Sequence, residues 1–130
     1  MRISSKATIL LVLLVGLGAV NASVDSFEAN YAKAKANAQT KNGAIYDAAL
    51  GAAYEAMPDF KPKVEACLRQ SPGPHAVRGY LLFLSEKNFG VFLEPKDEFA
   101  FCLSKALASP SVPPPPSVPY LNPFTFTVQP

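Results

Sequence analysis

From residue 24 the chain places apolar side chains at helical spacing. Val24, Phe27, Tyr31, Ala34 and Ala38 recur every three or four residues, which predicts a helix with one buried face. Asp25 and Glu28 have the spacing of a capping box at its start, and Asn42-Gly43 is read as its stop, because glycine takes up the left-handed conformation without steric penalty. In "AIYDAALGAAYEAM", Tyr46, Leu50, Tyr54 and Met57 form a second stripe, with Ala49, Ala52, Ala53 and Ala56 beside it. Small residues permit close helix approach, so residues 23–57 are expected to form a helical hairpin that Pro58 ends.

A third, short helix is predicted in "DFKPKVEACLRQS", where Pro62 suits the first turn and Val64, Cys67 and Leu68 share a face. "PGP" at 72–74 breaks the chain. The period then changes to two. In "AVRGYLLFLSE", Leu81 and Phe83 lie on one side and Tyr80, Leu82 and Leu84 on the other, as in a strand covered on both faces or one pairing across an interface. "KNFG" (87–90) is read as a turn and "VFLE" as a second strand, giving an antiparallel hairpin. In "DEFAFCLSKALAS" the helical spacing returns at Phe99, Cys102, Leu103, Ala106 and Leu107, with Asp97 and Glu98 at the favourable N-terminal end. "SPSVPPPPSVP" is an extended connector. In "YLNPFTFTV", Tyr120, Phe124, Phe126 and Val128 are expected inward and Thr125 and Thr127 outward. Pro123 fits an edge strand or a bulge, since it lacks a ladder donor. The expected fold class is α+β: the hairpin followed by an αββαβ unit, residues 58–130, with a three-stranded antiparallel sheet.

The N-terminus adds a compartment. Arg2 and Lys6 precede a 14-residue apolar run from Ala7 to Val20, and Val20-Asn21-Ala22 places small residues where a signal peptidase reads. The run is short for a membrane span, which needs about 20 residues. Residues 1–22 are therefore read as a secretory signal, and no stable span is expected after cleavage. Cleavage also changes the charge. The chain has 12 Lys and Arg against 10 Asp and Glu, so losing Arg2 and Lys6 leaves ten of each sign. The basic balance of the whole chain then implies no affinity for nucleic acid.

Only two cysteines are present, and each falls on the apolar face of a predicted helix. In an oxidising compartment they make one pair, Cys67 with Cys102. A bridge closing 34 intervening residues is worth about 3–4 kcal/mol in the loop-entropy account. Free buried thiols and a chemical role remain open at this point. For the latter, a catalytic cysteine needs a base, and His75 is the single histidine, without an obvious orienting carboxylate. Two cysteines and one histidine are also one ligand short of a zinc site. No glycine-rich phosphate loop or paired acids stand out, so neither cofactor nor enzymatic activity is expected.

The order of elements resembles the C-terminal domain of TonB-like bacterial envelope proteins, in the cysteine-paired variant found at the ends of AgmX/PglI-type gliding-motility proteins. The residues that carry the resemblance are the helix "VEACLRQ", two short strands, the helix "FAFCLSKAL", and a proline step into "PYLNPFTFTV", over about residues 60–128. The family's Asp-Gly turn stands here as Lys87-Asn88-Phe89-Gly90. The resemblance implies binding by strand addition at a sheet edge. It points to the last strand, with Tyr120, Phe124, Thr125, Phe126 and Thr127 as the edge that meets a protein or peptide partner. The expected function is a small exported, non-enzymatic envelope protein, periplasmic or secreted. The alternative is a periplasmic inhibitor or immunity protein against an exported toxin or hydrolase.

Overall fold

The computed structural model describes residues 26–108 and 110–129. Residues 1–22, read as a secretory signal, and Val24 and Asp25 lie outside the described residues. Among the described residues, four helices and three strands follow in the order α1 (Phe27–Ala38), α2 (Lys41–Ala56), α3 (Phe60–Gln70), β1 (His75–Phe83), β2 (Phe89–Glu94), α4 (Glu98–Ala108) and β3 (Tyr120–Val128). The fold is α+β. The sheet is antiparallel throughout with strand order β2-β1-β3, so β1 is central and both β2 and β3 are edges.

Alternation along β1 explains the layers. Val77, Leu81 and Phe83 face α2, α3 and α4 in the main core, together with Cys67, Leu93, Leu103 and Phe124. Tyr80 and Leu82 point the other way, into a second cluster with Tyr31 and Ala34 of α1 and Leu121 of β3. Of the two expectations for this strand, coverage on both faces is what the structure shows. The two N-terminal helices therefore straddle the sheet: α1 lies on one face, and α2 contributes Tyr46, Leu50 and Tyr54 to the opposite one. Fully burying a side chain such as Phe83 stabilises the fold by about 1.5–3 kcal/mol.

Four local expectations are corrected, Gly43 and Thr125 first. Gly43 does not stop α1. That helix ends at Ala38, and Thr40 caps α2, its hydroxyl accepting from Gly43 N–H (3.0 Å) and donating to Asn37 O (2.8 Å). Gly43 thus sits in the first turn of α2. A Cβ there would lie 1.8 Å from Asn37 O, so glycine serves the close backbone approach of the interhelical turn. Thr125 is not outward to solvent: it is 8% exposed, because its face of the sheet is the one α1 covers. Thr127 is exposed, as expected.

Two element ends also differ from expectation. Ser26, one residue after the expected Asp25, caps α1 by accepting from Ala29 N–H (3.0 Å), whereas Asp97 stands at the start of α4 as expected, its Oδ1 accepting from Ala100 N–H (2.9 Å). The β1–β2 turn is not Lys87–Gly90: it spans 84–88, with Leu84 N–H donating to Asn88 O, so Phe89 and Gly90 already belong to β2 and Leu84, expected in the strand, is exposed. The proline-rich connector carries no helix and is held against α2, where Tyr46 Oη donates to Pro113 O (2.7 Å). Tyr54 Oη donates to Leu107 O at the end of α4.

Candidate functional site

The cysteines resolve first. Cys67 of α3 and Cys102 of α4 form a disulfide with their Cα atoms 5.7 Å apart, so neither is a free thiol. His75 packs as an aromatic residue, stacked on Phe99 with centroids 4.0 Å apart, and its Nε2 donates to Ser71 O (2.6 Å). Among the described residues no three His, Cys, Asp or Glu are grouped to hold a metal ion, and no helix is long and apolar enough to cross a membrane.

The residues assigned to the last strand divide between core and surface. Tyr120 and Phe124 are buried in the main core, and Phe126 is half-buried against Phe99. Thr125 lies under α1 and Thr127 is exposed. Neighbouring residues of a strand direct their backbone groups to opposite sides. Asn37 Nδ2 of α1 donates to Leu121 O (2.9 Å), which places Leu121, Pro123, Thr125 and Thr127 on the outer line of β3. Part of that line is engaged. Leu121 O is taken by α1, Pro123 has no N–H, and Pro123 O accepts from Asn122 Nδ2 (3.1 Å).

The opposite edge is different. In the β1–β2 register Arg78, Tyr80 and Leu82 oppose Glu94, Phe92 and Gly90. The side of β1 already used for β3 makes these the hydrogen-bonded pairs, and Val91 and Leu93 therefore turn N–H and C=O outward. The carbonyl of Phe92 confirms the direction, since it faces β1 so closely that a Cβ on Gly79 would lie 2.0 Å from it. Outside the sheet ladder, no backbone bond among the described residues reaches Val91 or Leu93.

Large aromatic side chains flank this edge on both sheet faces. Phe92 stacks on Tyr80 (5.2 Å) on the face of α1, yet stays 43% exposed. On the other face Phe101 projects from α4, 64% exposed, with Lys105 Nζ 4.4 Å from its ring centre. Between β2 and α4 runs an open groove of about 550 Å³, lined by Val91, Phe92 and Leu93 of β2, by Ala100, Phe101 and Ser104 of α4, and by Lys96, Asp97 and Glu98. Sequence reasoning did not single out β2. The available signal was Phe101, a large apolar residue lying off the Phe99–Leu103–Leu107 stripe of its helix.

On the α1 face, the guanidinium of Arg78 lies over the rings of Phe27 and Tyr31, 5.2 and 5.0 Å from their centres. It also pairs with Glu28 and, at 3.5 Å, with Glu94. The hydrogen bond to Glu28 is the main cause that raises the Arg78 pKa. Burial raises the Tyr31 hydroxyl above its usual range. This constellation seats α1 on β1.

Comparison with protein-family models, curated proteins and solved structures finds no match to this chain.

Proposed function

We propose that this chain is a small exported, non-enzymatic protein of the bacterial cell envelope, and that it holds a protein partner by adding an extended peptide strand to the outer edge of β2. One observation carries the reading: Val91 and Leu93 direct backbone groups outward between Phe92 on one face and Phe101 on the other. A strand laid there would continue the ladder, and its alternate side chains would fall against the two aromatics. In that mode the main chain supplies affinity and the alternate side chains supply selectivity. The occupant is an extended segment with apolar residues at alternating positions.

Export is supported by the leader-like N-terminal sequence together with the disulfide, a bond that persists in oxidising compartments. The resemblance to TonB-like domains supports the mode of binding. It points to the last strand, but the engagement of Leu121 and Pro123 at that edge makes β2 the better acceptor.

Proline substitution tests the choice. Val91→Pro removes an outward N–H that β1 does not use, so partner capture from the native envelope fraction is expected to fail well below the melting temperature, which itself falls somewhat because the Val91 side chain packs on the main core. Phe101→Asp, at an exposed position, is expected to give the same loss without touching the backbone. Thr127→Pro is expected to leave capture intact. Loss with Thr127→Pro and retention with Val91→Pro would assign binding to β3 instead.

A further inference from the structure

Between α2 and residues 122–124 of β3 lies a cavity of about 70 Å³. It is distinct from the β2 groove, and its chemistry is independent of the peptide-binding reading. Leu50, Phe60, Leu107 and Phe124 supply apolar walls, while Asp47, Glu55 and Asn122 supply polar groups. Among the described residues, no lysine, arginine or histidine lines it.

Asn122 is the unusual member of this wall. It is 1% exposed, on the core face of β3. Its Nδ2 donates to Asp47 Oδ1 (2.9 Å) and to Pro123 O (3.1 Å), which uses both amide hydrogens and fixes which way the amide points. Its Oδ1 is buried and has no partner. An orphaned buried acceptor ordinarily costs the fold about 1–3 kcal/mol. The side chains of the wall have no donor to offer it, because the Tyr54 hydroxyl is committed to Leu107 O, and the Tyr120 hydroxyl, likewise buried without a partner, lies outside the wall. The remaining polar atoms are carboxylate oxygens. Room is available beside them: a Cβ built on Gly51 would meet no atom within 4 Å.

A wall that is apolar, carries only acceptors and bears two carboxylates complements one kind of group. It must be compact, cationic, rich in N–H donors and mounted on a hydrocarbon stem. We propose that this cavity binds a primary alkylammonium group, its stem against Leu50 and Phe124 and its –NH3+ donating to the Asp47 carboxylate and, once a small shift of the Asn122 side chain opens its enclosed Oδ1, to that oxygen. A primary ammonium has three donors and no acceptor, matching the acceptor-only wall. The hydrogen bond to Asp47 is charge-assisted, roughly twice as strong as one between neutral groups. Both a free aliphatic amine and a lysine side chain carry this group.

The test is an NMR titration of the oxidised, isotope-labelled protein. n-Butylammonium is the probe, with n-butanol and butyrate as comparators of the same stem. Saturable shifts are expected at the Asn122 side-chain amide and the Gly51 backbone amide, at the millimolar affinity open to so small a ligand. Butanol is expected to bind about tenfold more weakly, the loss of one charge-assisted contact, and butyrate not at all. Asp47→Asn keeps an acceptor for Asn122 and is expected to weaken butylammonium about tenfold with an unchanged melting temperature. Nα-acetyl-lysine methylamide distinguishes the sources: tighter binding than butylammonium assigns a partner's lysine, and weaker binding a free amine. Absence of saturable shifts, equal binding of butanol, or insensitivity to Asp47→Asn would overturn the proposal and leave the cavity to water or an apolar group.

Discussion

The side-chain amide of Asn37, in α1, donates to the backbone carbonyl of Leu121, in β3, at 2.9 Å. This single bond ties a helix to the rim of the sheet it covers, and it occupies a carbonyl that an edge strand would otherwise leave open. Asn37→Ala is expected to cost about 1 kcal/mol, the net worth of a typical intramolecular hydrogen bond. Asn37→Asp is expected to cost more at neutral pH, because a carboxylate then faces the Leu121 oxygen. Urea midpoints of the three proteins, compared at constant slope, check the order.

The disulfide joins two helices packed on the same face of the sheet, with both cysteines against the main core. Its loss releases a loop of 34 intervening residues in the unfolded chain, for which about 3–4 kcal/mol of stability is expected to disappear. Alanine at both positions isolates this contribution more cleanly than reduction, which leaves two thiols in the core. Equilibrium unfolding in urea measures it, and a loss under about 1 kcal/mol would show that packing alone holds α3 to α4.

Gly43 and Gly51 lie in the same helix and are expected to respond oppositely to alanine. At Gly51 an added methyl meets no atom within 4 Å, so helix propensity dominates and Gly51→Ala is expected to stabilise by about 0.5–1 kcal/mol. At Gly43 the same methyl would sit 1.8 Å from Asn37 O, and that oxygen belongs to backbone. The turn must shift, and overpacking of this kind costs about 1–3 kcal/mol, enough to reverse the propensity gain. Thermal melts of the two variants should therefore move in opposite directions.

Much of this fold was legible in the sequence because it is written in local periodicity. The stripe Tyr46–Leu50–Tyr54, the helix bearing Phe99, Leu103 and Leu107, and the two-sided run through Leu81 and Leu82 each announce their own buried faces. The cysteines were legible for a similar reason, since both sit on apolar faces and only one pair exists. Thr125 shows where this reasoning ends. Its hydroxyl read as solvent-facing, yet α1, from the far end of the chain, lies over it. Strand order is equally non-local. Nothing in "VFLE" states that β2 is an edge, or that α4 sets Phe101 beside it. Gly43 is a third instance, where a residue typical of helix ends serves instead to admit a neighbouring carbonyl.

Alkaline pH should expose the reliance of α2 and β3 on neutral tyrosines. Burial raises the hydroxyls of Tyr46, Tyr54 and Tyr120 above the ordinary value of 10.0, with the Asp47 carboxylate adding to the effect at Tyr120. Each phenol therefore holds its proton more tightly in the folded chain than in the unfolded one. Their contribution to stability is fully present below about pH 10, the unfolded value, and is lost as pH rises towards and through the folded values. The bonds they donate, to Pro113 O and Leu107 O, also require the proton. Tyr46, Tyr54 and Tyr120 are all buried, so their tyrosinate absorbance, followed from neutral to strongly alkaline pH, is expected to rise together with the loss of circular dichroism, in one cooperative step. Tyr54→Phe removes one ionising group and one donated bond, so it is expected to be less stable at about pH 7 but to lose less stability between about pH 9 and 12. Equal alkaline loss in the variant and the parent would assign the transition to groups other than Tyr54.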